Sequence, residues 1–452
     1  MNDLFTAEPA DLAALREQRL AATLDRVFAA HPHYRALFTK LGLHRDDLRT
    51  LDDLRRIPVT VKRDYISDPA AFRLGPEGAP EGEELTVWDT MYTTGSTGAP
   101  TPFVSTGYDF PNILAVQHAM MRLRGVTPDD SVLNLFPLTR VPHGAFARAL
   151  HACAAIGIPV TAALPGRPSE RRPELGQRLD EVVATAARVR PTILWGVPSY
   201  TRKMLLRAEE LGARLPSVRL VFVTGEGFGE EAREAMIAQL VRLGASDPKI
   251  SVSYGATEMQ GGMVECTAGA GYHNPAPDQF LFEAVDPETH AQVADGEAGL
   301  LLLTHLDRRG TVLLRYSLGD VARLTRARCP HCGALTERLL SVPQRVDGLL
   351  KIRGMLVDPL VLVDAVTTEP GVGEFQVLVD KQDPDNALSM DRLRIKVVPA
   401  DGASDLPARL EARVRRAVGV TPLVELTDAD DAVFAGRGWK AKPLIDLRPP
   451  VV

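Results

Sequence analysis

Cysteine is scarce in this sequence: four residues among 452, two of them close together at Cys329 and Cys332. That is too few for a disulfide framework in a chain of this size, so the thiols are left for packing or metal binding. Long hydrophobic runs are missing as well. Nowhere do 18 consecutive apolar residues occur, which excludes an ordinary transmembrane helix. Positive charge is not in excess either: a net charge of −6 gives no basic face for neutralising phosphates, so nucleic acid is not an expected partner. The opening MNDLFTAEPADLAALREQRL contains several acids and no apolar h-region, so the expectation is a cytoplasmic protein without a membrane partner. What the chain does have is length, enough to exceed a single core and to predict two or three domains.

The apolar pattern changes along the chain. Residues 1–70 read as helical, with the periodic segment DLAALREQRLAATLDRVFAAH and a short helix ended by Pro58. From about 130 to 256, short runs apolar throughout (SVLNLFPL, IPVTAAL, TILWGV, VRLVFVTG, KISVSYG) alternate with amphipathic helices. That alternation predicts a mostly parallel sheet covered on both faces, with ligands at the carboxyl ends of its strands. Beyond 275 the pattern is β-rich, in QFLFEAV, GLLLLTHL, TVLLRYS and VARLT, and predicts a small barrel-like part. From about 348 a compact α+β unit follows, with helices PLVLVDAVTT and LPARLEARVRRAVG and strands EFQVLVDK, LRIKVVP and TPLVELT.

The sharpest local feature is Tyr92-Thr-Thr-Gly-Ser-Thr-Gly-Ala-Pro-Thr101. Glycines allow tight turns that present N–H groups, and hydroxyls add donors, which together cradle phosphate oxygens. It lacks the Gly-Lys-Ser/Thr ending of a Walker loop, and by itself it is also compatible with a solvated loop. Cys329-Pro-His-Cys332 has the spacing that brings two thiolates to one metal; reduced buried thiols are the other reading. Cys153 reads as core packing.

Taken in order, the motifs resemble those of the adenylate-forming superfamily of acyl- and aryl-CoA ligases, adenylation domains and luciferases. The 93–98 loop resembles its phosphate loop, so Thr93, Thr94, Gly95, Ser96, Thr97 and Gly98 are expected to clasp pyrophosphate. Thr224-Gly-Glu-Gly resembles the segment flanking adenine, which assigns Gly225, Glu226 and Gly227 to nucleotide binding. In Tyr254-Gly-Ala-Thr-Glu258, the resemblance places Tyr254 and Gly255 at adenine, Thr257 at phosphate, and Glu258 on Mg²⁺. Asp320 in Tyr316-Ser-Leu-Gly-Asp is expected to take the ribose hydroxyls, with Arg345 beside the nucleotide and Asp347 as hinge. Gly438-Trp-Lys-Ala-Lys-Pro-Leu-Ile-Asp446 resembles the segment bearing the catalytic lysine, here Lys440, with Lys442 as the alternative. Within the superfamily the likeness is to the phenylacetate–CoA ligases, through LDDLRRIPVT, Val197-Pro-Ser-Tyr200 and the stretch after Glu258.

The resemblance implies an α/β fold with a large N-terminal domain (1–346) of doubly wound sheets plus a barrel-like part. A small mobile α+β lid (348–452) would turn about Asp347. It implies ATP, Mg²⁺ and coenzyme A as reactants and cofactor, and a small carboxylic acid, aromatic or compact and cyclic, as substrate. The acceptor is CoA, or else an amine or a carrier protein; a homodimer and a non-catalytic binding relative stay open. Phe136, His143, Trp195, Tyr200 and Gly261 are the acyl-pocket candidates, although a helix-cap or core role fits His143 equally. The resemblance also brings Cys266 and His273 near Cys329 and Cys332, which together would make a structural Cys₃His zinc site. Two positions depart from the family pattern. Ala99 stands where a lysine usually follows the loop, a loss of about 1–3 kcal/mol of grip on phosphate. Trp439 stands where glycine commonly precedes the catalytic lysine.

Overall fold

The structure, a computed structural model, describes residues 8–93, 100–139, 144–166, 176–345, 348–353, 355–383, 389–400, 405–434 and 442–448. It forms two compact units. One comprises Met1–Asn134, Leu138–Thr161 and Ser251–Val346; the other comprises Leu135–Pro137, Ala162–Ile250 and Asp347–Val452. Both mix helices and strands, the α/β character expected from the pattern.

The first unit begins with helix Pro9–Ala30, whose Leu12, Leu20, Leu24 and Val27 recur on one buried face. A second helix, Pro32–Leu41, stops at Gly42 in the left-handed conformation (φ 66°), which glycine adopts without a Cβ penalty. An antiparallel hairpin of Val87–Tyr92 and Pro102–Thr106 precedes helix Asp109–Leu123. The β-rich part is a run of antiparallel pairs. Phe280–Val285 pairs with Ala298–His305, which pairs with Tyr316–Thr325. The end of that strand pairs with Arg338–Leu339, then Tyr272–His273, then Gly261–Glu265, and finally with Ser253–Ala256.

One expectation shifts here. TVLLRYS was expected as one strand and VARLT as another, yet a single strand runs Tyr316–Thr325 and residues 311–315 lie outside it. Arg315 adopts φ 46°, which breaks an extended ladder, and Val312, Leu313 and Leu314 are buried as packing instead. The apolar run was core, not strand.

In the second unit, Ile193–Gly196 and Leu220–Thr224 pair in parallel, as the continuous apolar runs predict, and helices Leu179–Val189, Pro198–Glu210 and Glu230–Arg242 accompany them. A four-stranded sheet has the order Leu423–Leu426, Asp391–Pro399, Val372–Lys381, Leu444–Asp446. Helices Pro359–Thr367 and Leu406–Val418 share one core with it, through Leu362, Val366, Leu406, Leu410 and Val414. This C-terminal segment is tied to the helices before it. Asp364 accepts a bond from the Ala232 amide at 3.2 Å, in the first turn of Glu230–Arg242. Arg413 pairs with Glu231 at 2.5 Å, and Arg202 donates to the carbonyls of Val372 and Gly373 at 2.7 and 3.1 Å.

The first unit depends on a buried carboxylate. Asp109 is fully buried and accepts from the amides of Thr106, Arg309 and Gly310 at 2.9, 2.8 and 2.8 Å, with the buried Arg308 at 3.8 Å. Asp109→Ala strands three amides and a cation, so a cost of about 3–5 kcal/mol is expected. Thermal unfolding checks it: a Tm lowered by less than about 1 °C would show that these groups find water instead.

Candidate active site

Strands of the first unit bring four of the expected site residues, Tyr254, Glu258, Asp320 and Arg345, together. Tyr254 lies near the end of its strand and Glu258 in the 3₁₀ turn Thr257–Met259 that follows. Asp320 sits inside Tyr316–Thr325, directly opposite Arg345 on the short strand Gln344–Arg345. The Tyr254 hydroxyl donates to Asp320 Oδ2 at 2.6 Å, and Arg345 Nε stands 3.4 Å from Oδ1. Arg345 also donates to the Leu318 carbonyl at 3.0 Å. Two glycines allow these approaches. Gly319 has φ 75°, and a Cβ there would meet Arg345 Nη1 at 2.7 Å. A Cβ on Gly262 would meet the Tyr254 carbonyl oxygen at 2.7 Å. Gly255, between these strands, is solvent-exposed.

Electrostatics sharpen the picture. Burial, helped by the Asp320 charge, holds the Tyr254 phenol well above its usual range, so it remains a donor. Burial also raises the Glu258 carboxyl; Lys62 and Arg345 oppose the rise, and Asp320 adds to it. Burial, and then the Glu258 charge, raises the Tyr316 phenol well above its usual range, so the phenol and the Glu258 carboxyl group are neighbours. His305 fixes the main chain at this turn. Its Nδ1 accepts from the Leu313 amide at 3.2 Å, so Nε2 carries the proton and donates to the Glu258 carbonyl at 3.1 Å. Burial pushes His305 down to about 3, consistent with a neutral ring.

A second support was not read from the sequence. Gln260, which follows the Glu258 turn with φ 55°, is gripped from two sides. Gln117 donates to its carbonyl at 2.9 Å, and the buried Arg148 donates to its Oε1 at 2.6 Å and to Asp89 Oδ2 at 2.8 Å. Asp89 belongs to the strand that enters the 93–101 loop, so Arg148 joins that strand to the turn carrying Glu258. A buried arginine between two distant segments has no periodicity or motif to announce it. Tyr316 was inside a recognised motif, but its pairing with Glu258 was not legible there.

At the loop itself, the Thr93 amide donates to the Thr101 carbonyl at 3.0 Å and Thr93 Oγ1 accepts from the Thr101 amide at 3.1 Å. Thr93 therefore closes the base of the loop. Thr94, Gly95, Ser96, Thr97 and Gly98 lie outside the described residues, as do Ala99, His143, Asp347, Trp439 and Lys440. Of the alternatives for the lysine, Lys442 is described, and its carbonyl accepts from Gln376 at 3.0 Å. In the second unit, Gly225 has φ 88°, and Glu226 accepts from the amide and hydroxyl of Ser199 at 3.0 and 2.8 Å. A Cβ on Gly227 would meet Leu360 Cδ1 at 2.7 Å. Among the acyl-pocket candidates, Phe136 and Trp195 are 1% and 5% exposed, with Trp195 edge-on to Phe222 at 5.4 Å. Tyr200 is part-buried, its phenol raised by burial. Gly261 belongs to the first unit, where a Cβ would meet Val116 Cγ1 at 3.1 Å.

The four sulfur and imidazole candidates do converge. The ligand atoms of Cys266, His273, Cys329 and Cys332 all lie within 4.8 Å of one another. Three are buried and Cys332 is exposed. Cys332 Sγ and His273 Nε2 are 3.7 Å apart, close to the edge of about 3.5 Å that a tetrahedral zinc site sets between a thiolate and an imidazole. Burial, with Arg338 nearby, pushes His273 down to about 4, consistent with a neutral ring. Cys266 follows strand 261–265 directly, and His273 lies in the strand 272–273 that pairs with it and with 338–339, a few residues after Cys332.

The chain belongs to the AMP-binding enzyme family, which matches residues 36–305. Its relatives include the phenylacetate-coenzyme A ligase of Thermus thermophilus, 28% identical with 99% of each chain covered. The phenylacetate-coenzyme A ligase of Escherichia coli is 26% identical, covering 99% of this chain and 98% of that one. Among solved structures, 2-hydroxyisobutyryl-CoA ligase in the postadenylation state, in complex with R3-HIB-AMP, superposes with a TM-score of 0.78. It is 22% identical, with 98% of this chain and 91% of that chain covered, a likeness of fold.

The raised Glu258 carboxyl has a consequence for stability. A carboxyl whose folded pKa exceeds its unfolded one adds stability below the unfolded pKa and loses it as pH rises through the folded pKa. Glu258→Gln, which removes the charge while nearly keeping the shape, is therefore expected to raise Tm near and above neutral pH in metal-free buffer. The gap should close as pH falls below the usual carboxylate range. Equal melting of both proteins across pH would show that Glu258 is not held as a desolvated acid.

Proposed function

We propose that this protein joins a small carboxylic acid to coenzyme A through an acyl-adenylate made from ATP. The single observation carrying this reading is the Tyr254–Asp320–Arg345 constellation beside Glu258, in a chain aligned end to end with phenylacetate-coenzyme A ligases. Asp320, aimed by the Tyr254 hydroxyl, accepts from the ribose hydroxyls, and Tyr254 lies against adenine; Gly225, Glu226 and Gly227 are assigned to the nucleotide through the family resemblance of their motif. Glu258 fits Mg²⁺, which typically takes one or two protein carboxylates and completes its shell with phosphates and water. Bound there, Mg²⁺ supplies charge neutralisation on the phosphates. Thr257 and the hydroxyls of Thr93, Thr94, Ser96 and Thr97 donate to phosphate oxygens, and Lys440 bridges the acid's carboxylate and the α-phosphate.

In the first half-reaction a carboxylate oxygen bonds to the α-phosphorus, and the bond to the bridging oxygen of pyrophosphate breaks. In the second, the CoA thiol attacks the acyl carbon and AMP leaves. Asp347 is the hinge about which residues 348–452 withdraw Lys440 between the two. The chemistry is mostly positioning and electrostatics, as in other phosphoryl-group transfers. An aromatic or compact cyclic acid suits the relatives' name, and the cytoplasm suits the chemistry of ATP and CoA.

Cys266, His273, Cys329 and Cys332 hold a structural zinc ion. Four protein ligands leave no open position for catalysis. The ion pins the strands after Tyr254 to those after Asp320.

Two experiments test these readings. Pyrophosphate release from Mg-ATP is measured across aryl, heteroaryl and compact alicyclic acids, with and without CoA. Acid-dependent release with a CoA thioester is the expected result. Release without thioester moves the acceptor to an amine or carrier protein, and no release with any acid favours a non-catalytic relative. For the metal, elemental analysis of native protein is expected to give about one zinc per chain, lost with a drop in Tm in Cys329→Ser; less than about half an equivalent counts against the site.

A further inference from the structure

The hydroxyl- and glycine-rich loop has no formal charge to set against a polyphosphate. No lysine or arginine occurs anywhere between Arg73 and Arg122, so the whole hairpin around the loop is without one. The cation has to come from elsewhere, and the fold brings one to Glu258. Thr60 lies alongside Tyr316 in a parallel bridge: its carbonyl accepts from the Ser317 amide at 2.9 Å, and its amide donates to the Arg315 carbonyl at 3.0 Å. Helix Lys62–Ser67 begins two residues later.

Lys62 and Tyr65 are three apart in that helix and therefore share a face. The Tyr65 ring stands edge-on to the Tyr316 ring, at 6.3 Å and 82°, and the Tyr316 phenol is a neighbour of the Glu258 carboxyl group. Lys62 thus starts on the side of the helix that faces Tyr316. Its side chain is exposed and makes no ion pair among the described residues. Its charge is also felt at the Glu258 carboxyl, more strongly than that of Arg345. Arg345, by contrast, is already engaged with Asp320 and Leu318.

We propose that the Lys62 ammonium is a phosphate-binding group of the adenylation site, contacting the β- and γ-phosphates of ATP and the pyrophosphate that leaves. The inference rests on the adenylation reading given above. As the acid's oxygen bonds to the α-phosphorus, the electron pair of the broken bond stays on pyrophosphate. The Lys62 ammonium offsets that charge. A flexible ammonium suits a group that moves away after bond cleavage, because it acts as a point charge. The site would then discriminate ATP from AMP through a residue outside the loop, in a helix more than thirty positions earlier in the chain.

The test needs no knowledge of the acid. Binding of Mg-ATP and of AMP is measured by titration calorimetry for the native chain, Lys62→Ala, Lys62→Arg, and Lys62→Ala combined with Ala99→Lys, which puts a cation into the loop. The expected result is a loss of about tenfold for ATP in Lys62→Ala, with AMP changed less than about twofold, near-native binding in Lys62→Arg, and recovery of ATP binding in the double variant. Unchanged ATP binding in Lys62→Ala overturns the inference and leaves the adenylation reading in place. So does an equal loss for ATP and AMP, which would mean general damage or a role confined to pairing with Glu258. A native chain that binds neither nucleotide overturns the adenylation reading and this inference with it.

Discussion

Glu258 is a carboxyl group kept short of water beside a second acid, Asp320, and the structure around it is organised by that constraint. Desolvation and a like charge both favour its neutral form. The surrounding groups offset this in different ways. Lys62 and Arg345 supply opposing charge, Arg345 also faces Asp320, and His305 holds the carbonyl of Glu258 itself. Gln117 and Arg148 then fix Gln260, two residues on. Holding a desolvated carboxyl next to a second acid costs the fold stability, as charged sites usually do.

How much of this was legible in the sequence follows from how each feature is encoded. Parallel strands such as Ile193–Gly196 and Leu220–Thr224 are apolar on both faces and announce themselves as short continuous runs. The helices Pro359–Thr367 and Leu406–Val418 were equally plain from their spacing and proline starts. TVLLRYS misled because a buried loop and a buried strand have the same composition. What separates them is one backbone angle at Arg315, which composition does not report. The hairpin of Val87–Tyr92 and Pro102–Thr106 carried too few apolar residues facing one way to stand out, although it frames the loop that did.

The site residues divide similarly. Tyr254, Glu258, Asp320 and Arg345 were legible because each sits in a short local motif, and the fold brings them to one place in the first unit. The four zinc candidates came half from spacing, at Cys329 and Cys332, and half from resemblance, at Cys266 and His273. Arg148 was invisible because its significance lies in what it meets. Arg148 joins segments that are 59 and 112 positions away in sequence, and no window of local pattern spans such distances. Phe136 and Trp195 are almost fully buried, and their place along the chain alone does not separate packing from pocket lining.

The bond from the Ala232 amide to Asp364 gives the C-terminal segment a part in the integrity of a much earlier helix. The first amides of any helix lack partners within it, and Glu230–Arg242 has at its start two more acids, Glu230 and Glu231, but no side-chain cap of its own. A carboxylate from residue 364 supplies one. Gly229 is part of the same fit, since a Cβ there would meet that carboxylate at 2.6 Å. A fragment ending before the C-terminal segment would therefore be more than a lidless version of the whole. It would carry a helix with a bare first turn and an unpaired Glu231, so dissecting the chain at residue 346 removes structure from the part that is kept.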